Sequence, residues 1–200
     1  MDTTIRDIKI TELGESKYIR PFSIVFSQNG IRRKWDCIKA HDSVSILLYH
    51  KDKDAFLFVK QFRPSLWYHE TGGDTSKIDE NTGFSYEFCA GLCDKEGLEP
   101  EEVAIEEVLE ETGYAVPSVN YITSSFTGLG FSANRQSVFY AIIDESMKKE
   151  QGGGVDDECI ELVFVARKDI YEFLYDESKP KGAGALFGLL WFMSNVAPKL

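Results

Sequence analysis

Seven glutamates crowd into thirteen residues of the stretch EPEEVAIEEVLEETGY, at positions 99, 101, 102, 106, 107, 110 and 111. Pro100 suits the first position of a helix, and Gly113 suits the left-handed residue just past its end. On a helix between them, Ala104, Ile105, Val108 and Leu109 form an apolar stripe that faces inward. Glu107 stands four residues from Glu111 and three from Glu110, so these carboxylates meet on a neighbouring face, and Glu106 with Glu110 adds another pair. Each such pair costs about 0.2–0.5 kcal/mol on an exposed helix. Glu110 and Glu111 also sit at the negative end of the helix dipole, a further cost of roughly 0.3–1 kcal/mol each. Two readings answer the crowding. Hard divalent cations such as Mg²⁺ take oxygen ligands and turn the repulsion into coordination. Alternatively the face is simply solvated, since glutamate is a good helix former and the whole chain is acidic.

The elements that must position this helix are legible in outline. Apolar alternation flanks Asn29-Gly30, a strong hairpin signal. SVSILLYH and DAFLFVKQF read as strands over 43–50 and 55–62, and FSYEFCAG as one strand over 84–91 running into a glycine. Residues 67–83 are polar and glycine-rich and read as a loop or mobile insertion with no assigned function. NYITSSF and QSVFYAII are strands around the loop TGLGFSANR. GGGVDDE is a flexible loop leading into the strand CIELVFVA, and KDIYEFLYDE and AGALFGLLWFMSNVA close the chain as helices. Strands with interspersed helices give an α/β or α+β sandwich. Residues 1–40 form a small separate antiparallel β element, and 41–200 the main domain.

The 200 residues carry 22 Lys and Arg against 33 Asp and Glu, a net charge of −11. That balance argues against nucleic acid as a partner, because phosphate backbones need clustered cations. It leaves room for a small phosphorylated ligand bound through a divalent cation. Cys37, Cys89, Cys93 and Cys159 have no zinc-ligand spacing with His41, His50 or His69, and read as free buried thiols in a reducing cytosol. MDTTIRDIKI shows no secretion signal. The longest apolar stretch, about 16 residues with three glycines, is short for a membrane span and reads as a core helix. A cytoplasmic protein is expected.

GLCDKEGLEPEEVAIEEVLEETGY resembles the Nudix box, G-x5-E-x7-R-E-U-x-E-E-x-G-U, where U is an apolar residue. Gly113 and Tyr114 match its final pair, Glu110 and Glu111 the E-E, Val108 the U, Glu107 the central E and Gly91 the opening glycine. Three departures stand out. The stretch before the helix is one residue longer, Leu98 replaces the first Glu, and Glu106 replaces the Arg. In the family that Glu and Arg brace the loop against the helix, so the departure bears on how Glu107 is oriented. RRKWDCIKA, FLFVKQFRP, YEFCAGLCD and the box follow the order of the ADP-ribose and nucleotide-sugar pyrophosphatase branch. YIRP, QNG, AHDSV and WFMSNVAP resemble its UDP-sugar pyrophosphatases of animals.

The resemblance implies a Nudix α/β/α sandwich with a small N-terminal β element that takes part in a homodimer. It implies Mg²⁺-dependent hydrolysis of a nucleoside diphosphate sugar, UDP-glucose to UMP and glucose 1-phosphate, with Mn²⁺ as the alternative metal. ADP-ribose hydrolysis and a catalytically weak nucleotide-sugar-binding module are the alternatives. The implied metal ligands are Glu107, Glu111 and Glu110, with the backbone carbonyl of Ala90. Glu110 is also counted as catalytic, and Glu87 is a candidate support. The general base falls on GGGVDDECIEL, with Glu158 the best fit and Asp157 and Asp156 as alternatives; otherwise this is an acidic surface loop. The resemblance gives Trp35 a role stacking on the nucleobase, where the bare sequence reads a hairpin core residue. Arg63 is a diphosphate clamp or a structural salt bridge, since guanidinium meets phosphate bidentately. Arg135 or Gln136 faces the sugar.

Overall fold

The computed structural model describes residues 4–154 and 158–200. The first ordered unit is a ribbon of β1 (Arg20–Gln28) and β2 (Ile31–Lys39), paired antiparallel from Arg20–Lys39 to Gln28–Ile31. Asn29 and Gly30 both take positive φ, 54° and 75°, as a two-residue hairpin turn that follows the strand twist requires. The ribbon forms its own two-stranded sheet. Its apolar side chains, among them Phe22, Ile24, Val25 and Trp35, stay exposed. Among the described residues, two hydrogen bonds tie it to the 128–133 turn: the Ile38 amide to the Phe131 carbonyl at 2.7 Å, and the Trp35 indole to the Gly130 carbonyl at 2.6 Å.

The main sheet is built on β3 (Ser43–His50), β4 (Ala55–Phe62) and β8 (Asn134–Ile143). β3 runs parallel to β8 along its whole length. Both of its faces are buried: Val44, Ile46 and Leu48 pack on one side, Leu47 and Tyr49 on the other. That explains a nearly continuous apolar run instead of alternation. β7 (Asn120–Thr127) flanks β8, and β9 (Glu161–Ala166) pairs with β4. α2 (Pro100–Thr112) covers the first face with Val103, Ala104 and Val108. α3 (Ile170–Tyr175) and α4 (Ala183–Asn195) cover the second with Ile170, Phe173, Leu189 and Phe192. The chain is therefore an α/β/α sandwich with a small antiparallel element. Among the described residues, no helix is long and apolar enough to cross a membrane.

Two expectations need correction. The segment read as a loop from residue 67 begins within a helix, α1 (Pro64–Thr71), with Pro64 in its first turn and Gly72 as a left-handed cap. Trp67 buries itself there, only 2% exposed, and its indole donates to the Lys77 carbonyl at 3.3 Å. Tertiary burial of one large ring overrides a weak helical pattern. The strand read over 84–91 is two strands. β5 (Phe84–Glu87) pairs with β4, and β6 (Cys89–Leu92) pairs with β3.

That split sets the geometry of the site. β3 and β4 pair only from Leu48–Leu57 to His50–Ala55 and then part. The chain crosses between them at Phe88, whose ring stacks on Phe58 at 5.7 Å and packs against Gly188 of α4. The cleft opened by the splay lies under α2. Phe88→Ala should cost about 3–5 kcal/mol, as for a buried aromatic truncated to a cavity. Denaturant unfolding reads this directly, and a loss below about 1 kcal/mol would show that the crossing is not packed as described.

Candidate active site

The cleft is a cavity of about 470 Å³ whose wall carries Ser43, Gln61, Arg63, Glu87, Ala90, Gly91, Glu107, Glu111, Gln136 and Glu158. Residues from five strands, the helix and Glu158 before β9 thus converge on one volume, of a size suited to a small-molecule ligand. A neighbouring hollow of about 590 Å³ shares Ser43 with it and includes Tyr121 and Arg135.

Glu111 lies on the buried face of α2, 3% exposed, and not on the solvent side of the wheel. The buried positions are Val103, Ala104, Val108, Glu111 and Thr112, while Ile105 and Leu109 are half-buried. The Ala90 amide donates to Glu111 Oε2 at 3.1 Å, and the Cys89 thiol also bonds that carboxylate. Burial first, then the charges of Glu107 and Glu158, push the Glu111 carboxyl up to about 8 against these two bonds. Burial and the neighbouring Glu110 and Glu158 push Glu107 up to about 7, with Lys95 opposing. Gly91 lets the Glu107 carboxylate lie against the strand, where a Cβ would force it aside.

Arg63 enters from the end of β4. Its Nε and one terminal nitrogen meet the two Glu87 oxygens, both at 2.7 Å, and Ser85 Oγ donates to Glu87 Oε1 at 2.5 Å. Burial raises the Glu87 carboxyl, but the Arg63 fork and Ser85 outweigh it and hold the group below its ordinary range. Gln61, two residues before Arg63 on the same strand face, shares the wall; that i, i+2 polar pair in an apolar strand was a signal available in the sequence.

One of the three box departures, Glu106 in the place of Arg, has a structural counterpart. Lys95, on the loop before α2, lies 2.6 Å from Glu106 and 3.7 Å from Glu110. Glu106 is therefore a partnered charge, with the cation on the loop and the carboxylate on the helix. Both side chains are nearly half exposed, so the pair contributes no more than about 1 kcal/mol. Its effect is to hold the loop's end of the cleft against α2.

The cleft brings together Ala90, Glu107, Glu111, Glu158 and Arg63. Glu110 stands at its margin beside Lys95. Gln136 is inside, donating to Ser43 Oγ at 3.3 Å, whereas the Arg135 guanidinium binds Ser124 Oγ at 3.0 and 3.1 Å in the adjoining hollow. Trp35 is on the ribbon, 51% exposed, and does not line the cavity of its own chain. Asp156 and Asp157 lie outside the described residues. None of the four cysteines forms a disulfide, and only Cys89 is fully buried.

Among the described residues, no three His, Cys, Asp or Glu side chains stand close enough to hold a metal ion as they are. The donor chemistry nonetheless suits a hard divalent cation. Buried Glu111 and half-buried Glu107, whose proton affinity is raised first by burial and then by neighbouring carboxylates, offer oxygen ligands to such a cation.

A NUDIX domain model matches residues 39–184. This chain belongs to the Nudix family. The uridine diphosphate glucose pyrophosphatase of Bos taurus is 34% identical over 98% of this chain and 97% of its own length. That of Mus musculus is 32% identical over 92% of each. The GDP-mannose pyrophosphatase of Pectobacterium atrosepticum is 37% identical over 61% of this chain and 58% of its own. Nudix hydrolases generally use divalent metal ions such as Mg²⁺, in keeping with the oxygen donors of this cleft.

Glu107 and Glu111 bind protons more tightly in the folded protein than in the unfolded chain, where a carboxyl titrates near 4.5. Their contribution to stability is therefore complete below about pH 4.5 and is lost as the pH rises through about 7 to 8. In metal-free buffer with chelator, the thermal midpoint should fall across that window, and Glu111→Gln should flatten the fall. A midpoint that rises with pH over the window in the unaltered protein would contradict the crowding.

Proposed function

We propose that this Nudix protein hydrolyses the diphosphate bond of a nucleoside diphosphate sugar, converting UDP-glucose and water to UMP and glucose 1-phosphate. One observation carries the reading: Glu158 reaches the same cavity as Glu107, Glu111 and Arg63. Near full-length similarity to uridine diphosphate glucose pyrophosphatases supports the choice of sugar nucleotide.

A diphosphate repels an attacking hydroxide, and divalent cations, Mg²⁺ or Mn²⁺, neutralise that charge and activate water when bound. Glu107 and Glu111 would hold them, with Glu110 and the Ala90 carbonyl completing the oxygen set. Glu158 takes the proton of the attacking water as general base. Arg63 exchanges one oxygen of Glu87 for a phosphate oxygen, bridging carboxylate and phosphate with charge-assisted hydrogen bonds. The cavity wall supplies Gln61, Ser43 and Gln136 as neutral groups toward the sugar.

Trp35 stacks on the nucleobase, which fits the ribbon better in a homodimer than in a lone chain. Its exposed apolar face is larger than an isolated two-stranded ribbon sustains in water. Residues 1–40 then act as the dimerisation and base-binding element beside a hydrolase domain over 41–200. Sedimentation at two concentrations reads that assembly, and a monomer throughout would refute it. The acidic surface disfavours nucleic acid and anionic membranes as partners, and the free thiols suit a reducing, cytoplasmic compartment.

The weak-module alternative drew on the altered box, and the Lys95–Glu106 pair weakens that ground. Hydrolysis of UDP-glucose, ADP-ribose and GDP-mannose, followed by phosphatase-coupled phosphate release with Mg²⁺, separates the readings. UDP-glucose should turn over fastest, and Glu158→Gln should lower kcat by about 10²–10⁴-fold. Preference for ADP-ribose or GDP-mannose keeps the chemistry and moves the substrate. Binding of all three without turnover would leave a sugar-nucleotide sensor.

A further inference from the structure

The last four carbonyls of a helix have no partner within it, and in α2 those carbonyls lie directly behind the acidic cluster. Each is taken by a different donor. The Gly113 amide bonds the Leu109 carbonyl at 2.8 Å, the Gly154 amide that of Glu110 at 3.2 Å, and the Gly153 amide that of Glu111 at 2.8 Å. Lys148 Nζ bonds the Thr112 carbonyl at 2.7 Å and reaches the Gln151 carbonyl at 3.1 Å. The ammonium also sits 4.6 Å over the ring of buried Tyr114. α2 has no basic residue in its own last turn, so Lys148 supplies from elsewhere the cation that the negative end of the dipole favours.

The backbone from Met147 to Gly154 lies along that of Glu110 to Ala115. The Ala115 amide bonds the Met147 carbonyl, and the Lys149 amide bonds the Gly113 carbonyl, each at 2.9 Å. Gly152, Gly153 and Gly154 take φ of 73°, 115° and 88°, a run that side chains resist. A Cβ on Gly152 would come within 2.6 Å of the Thr112 carbonyl carbon. A Cβ on Gly154 would come within 2.6 Å of Glu158 Oε2. The Glu158 carboxylate therefore rests on Gly154, and Gly154 is bonded to the helix that bears Glu107 and Glu111. The three glycines let this backbone dock on a helix end.

We infer that Lys148 and the Gly152–Gly154 turn are positioning elements: they cap α2 and by the same contacts seat Glu158 opposite the glutamates of the cleft. The inference deepens the proposed function and rests on Glu158 being the general base. The cap ties two arms of the site into one rigid unit. Displacing a reacting group by about 1 Å costs on the order of 10²-fold in rate.

Lys148→Met and Gly154→Ala are made singly and with Glu158→Gln, and each is assayed on the nucleotide sugar that the protein turns over. kcat, KM, Mg²⁺ affinity by calorimetry and the thermal midpoint are measured. Each single variant should lose about 10–100-fold in kcat with KM and Mg²⁺ affinity nearly unchanged, and Lys148→Arg should recover most of it. In the Glu158→Gln background the further loss should shrink to about threefold or less, because groups acting through one another are not additive. Should Lys148→Met fail to fold, Gly154→Ala, which keeps the ammonium, carries the same test. A costly Glu158→Gln beside harmless Lys148→Met and Gly154→Ala overturns the inference alone. So does a loss that multiplies in full with Glu158→Gln. Unchanged kcat in Glu158→Gln by itself overturns the base assignment and the inference with it.

Discussion

Negative charge at the buried C-terminal end of α2 is the constraint to which the rest of the site answers. Glu111 is almost wholly buried and Glu107 half-buried, on a helix whose dipole already makes that end negative. Burial alone would disfavour such charges by several kcal/mol each. The fold answers with partial compensation: the Ala90 amide and Cys89 thiol on Glu111, Lys95 beside Glu106 and Glu110, and Lys148 with two glycine amides behind the helix. The compensation is incomplete, and both carboxyls keep a raised affinity for protons. An incompletely compensated cluster of hard oxygens is one that a divalent cation completes.

The sheet serves this arrangement by coming apart. Had β3 and β4 stayed paired, α2 would cover a closed surface. Their splay after three residue pairs lets the chain cross at Phe88, so that Glu87 and Arg63 approach from one strand pair and Ala90 and Gly91 from the other. Stability and function meet at Phe88 and Gly91. The first fills the core at the crossing, and the second keeps the strand close enough for Glu107 to reach past it.

What could be read from sequence is what depends on neighbours in sequence. The turn at Asn29-Gly30, the glutamates at their helical spacings and the apolar strands 43–50 and 55–62 are local patterns, and they stand where expected. The helix Pro64–Thr71 escaped because its pattern is weak and burial of Trp67 decides it. The division of 84–91 escaped because both halves are extended; only the choice of pairing partner separates them. Lys95 and Lys148 escaped for a related reason. A lysine 36 residues beyond Thr112 gives no sign in the sequence that it will end that helix. Resemblance to the Nudix family and its nucleotide-sugar branch supplied the candidate roles of Ala90, Trp35 and Glu158, which spacing alone left open.

Proton release on metal binding tests the central claim most directly. Calorimetric titration of the protein with Mg²⁺ or Mn²⁺ at pH 7, in two buffers of different ionisation heat, counts the protons displaced. If crowded, part-protonated Glu107 and Glu111 are the ligands, binding should release about one proton, and Glu111→Gln should lose both the release and most of the affinity. Metal binding that releases no protons, or that Glu111→Gln leaves intact, would contradict the account and place the cation elsewhere.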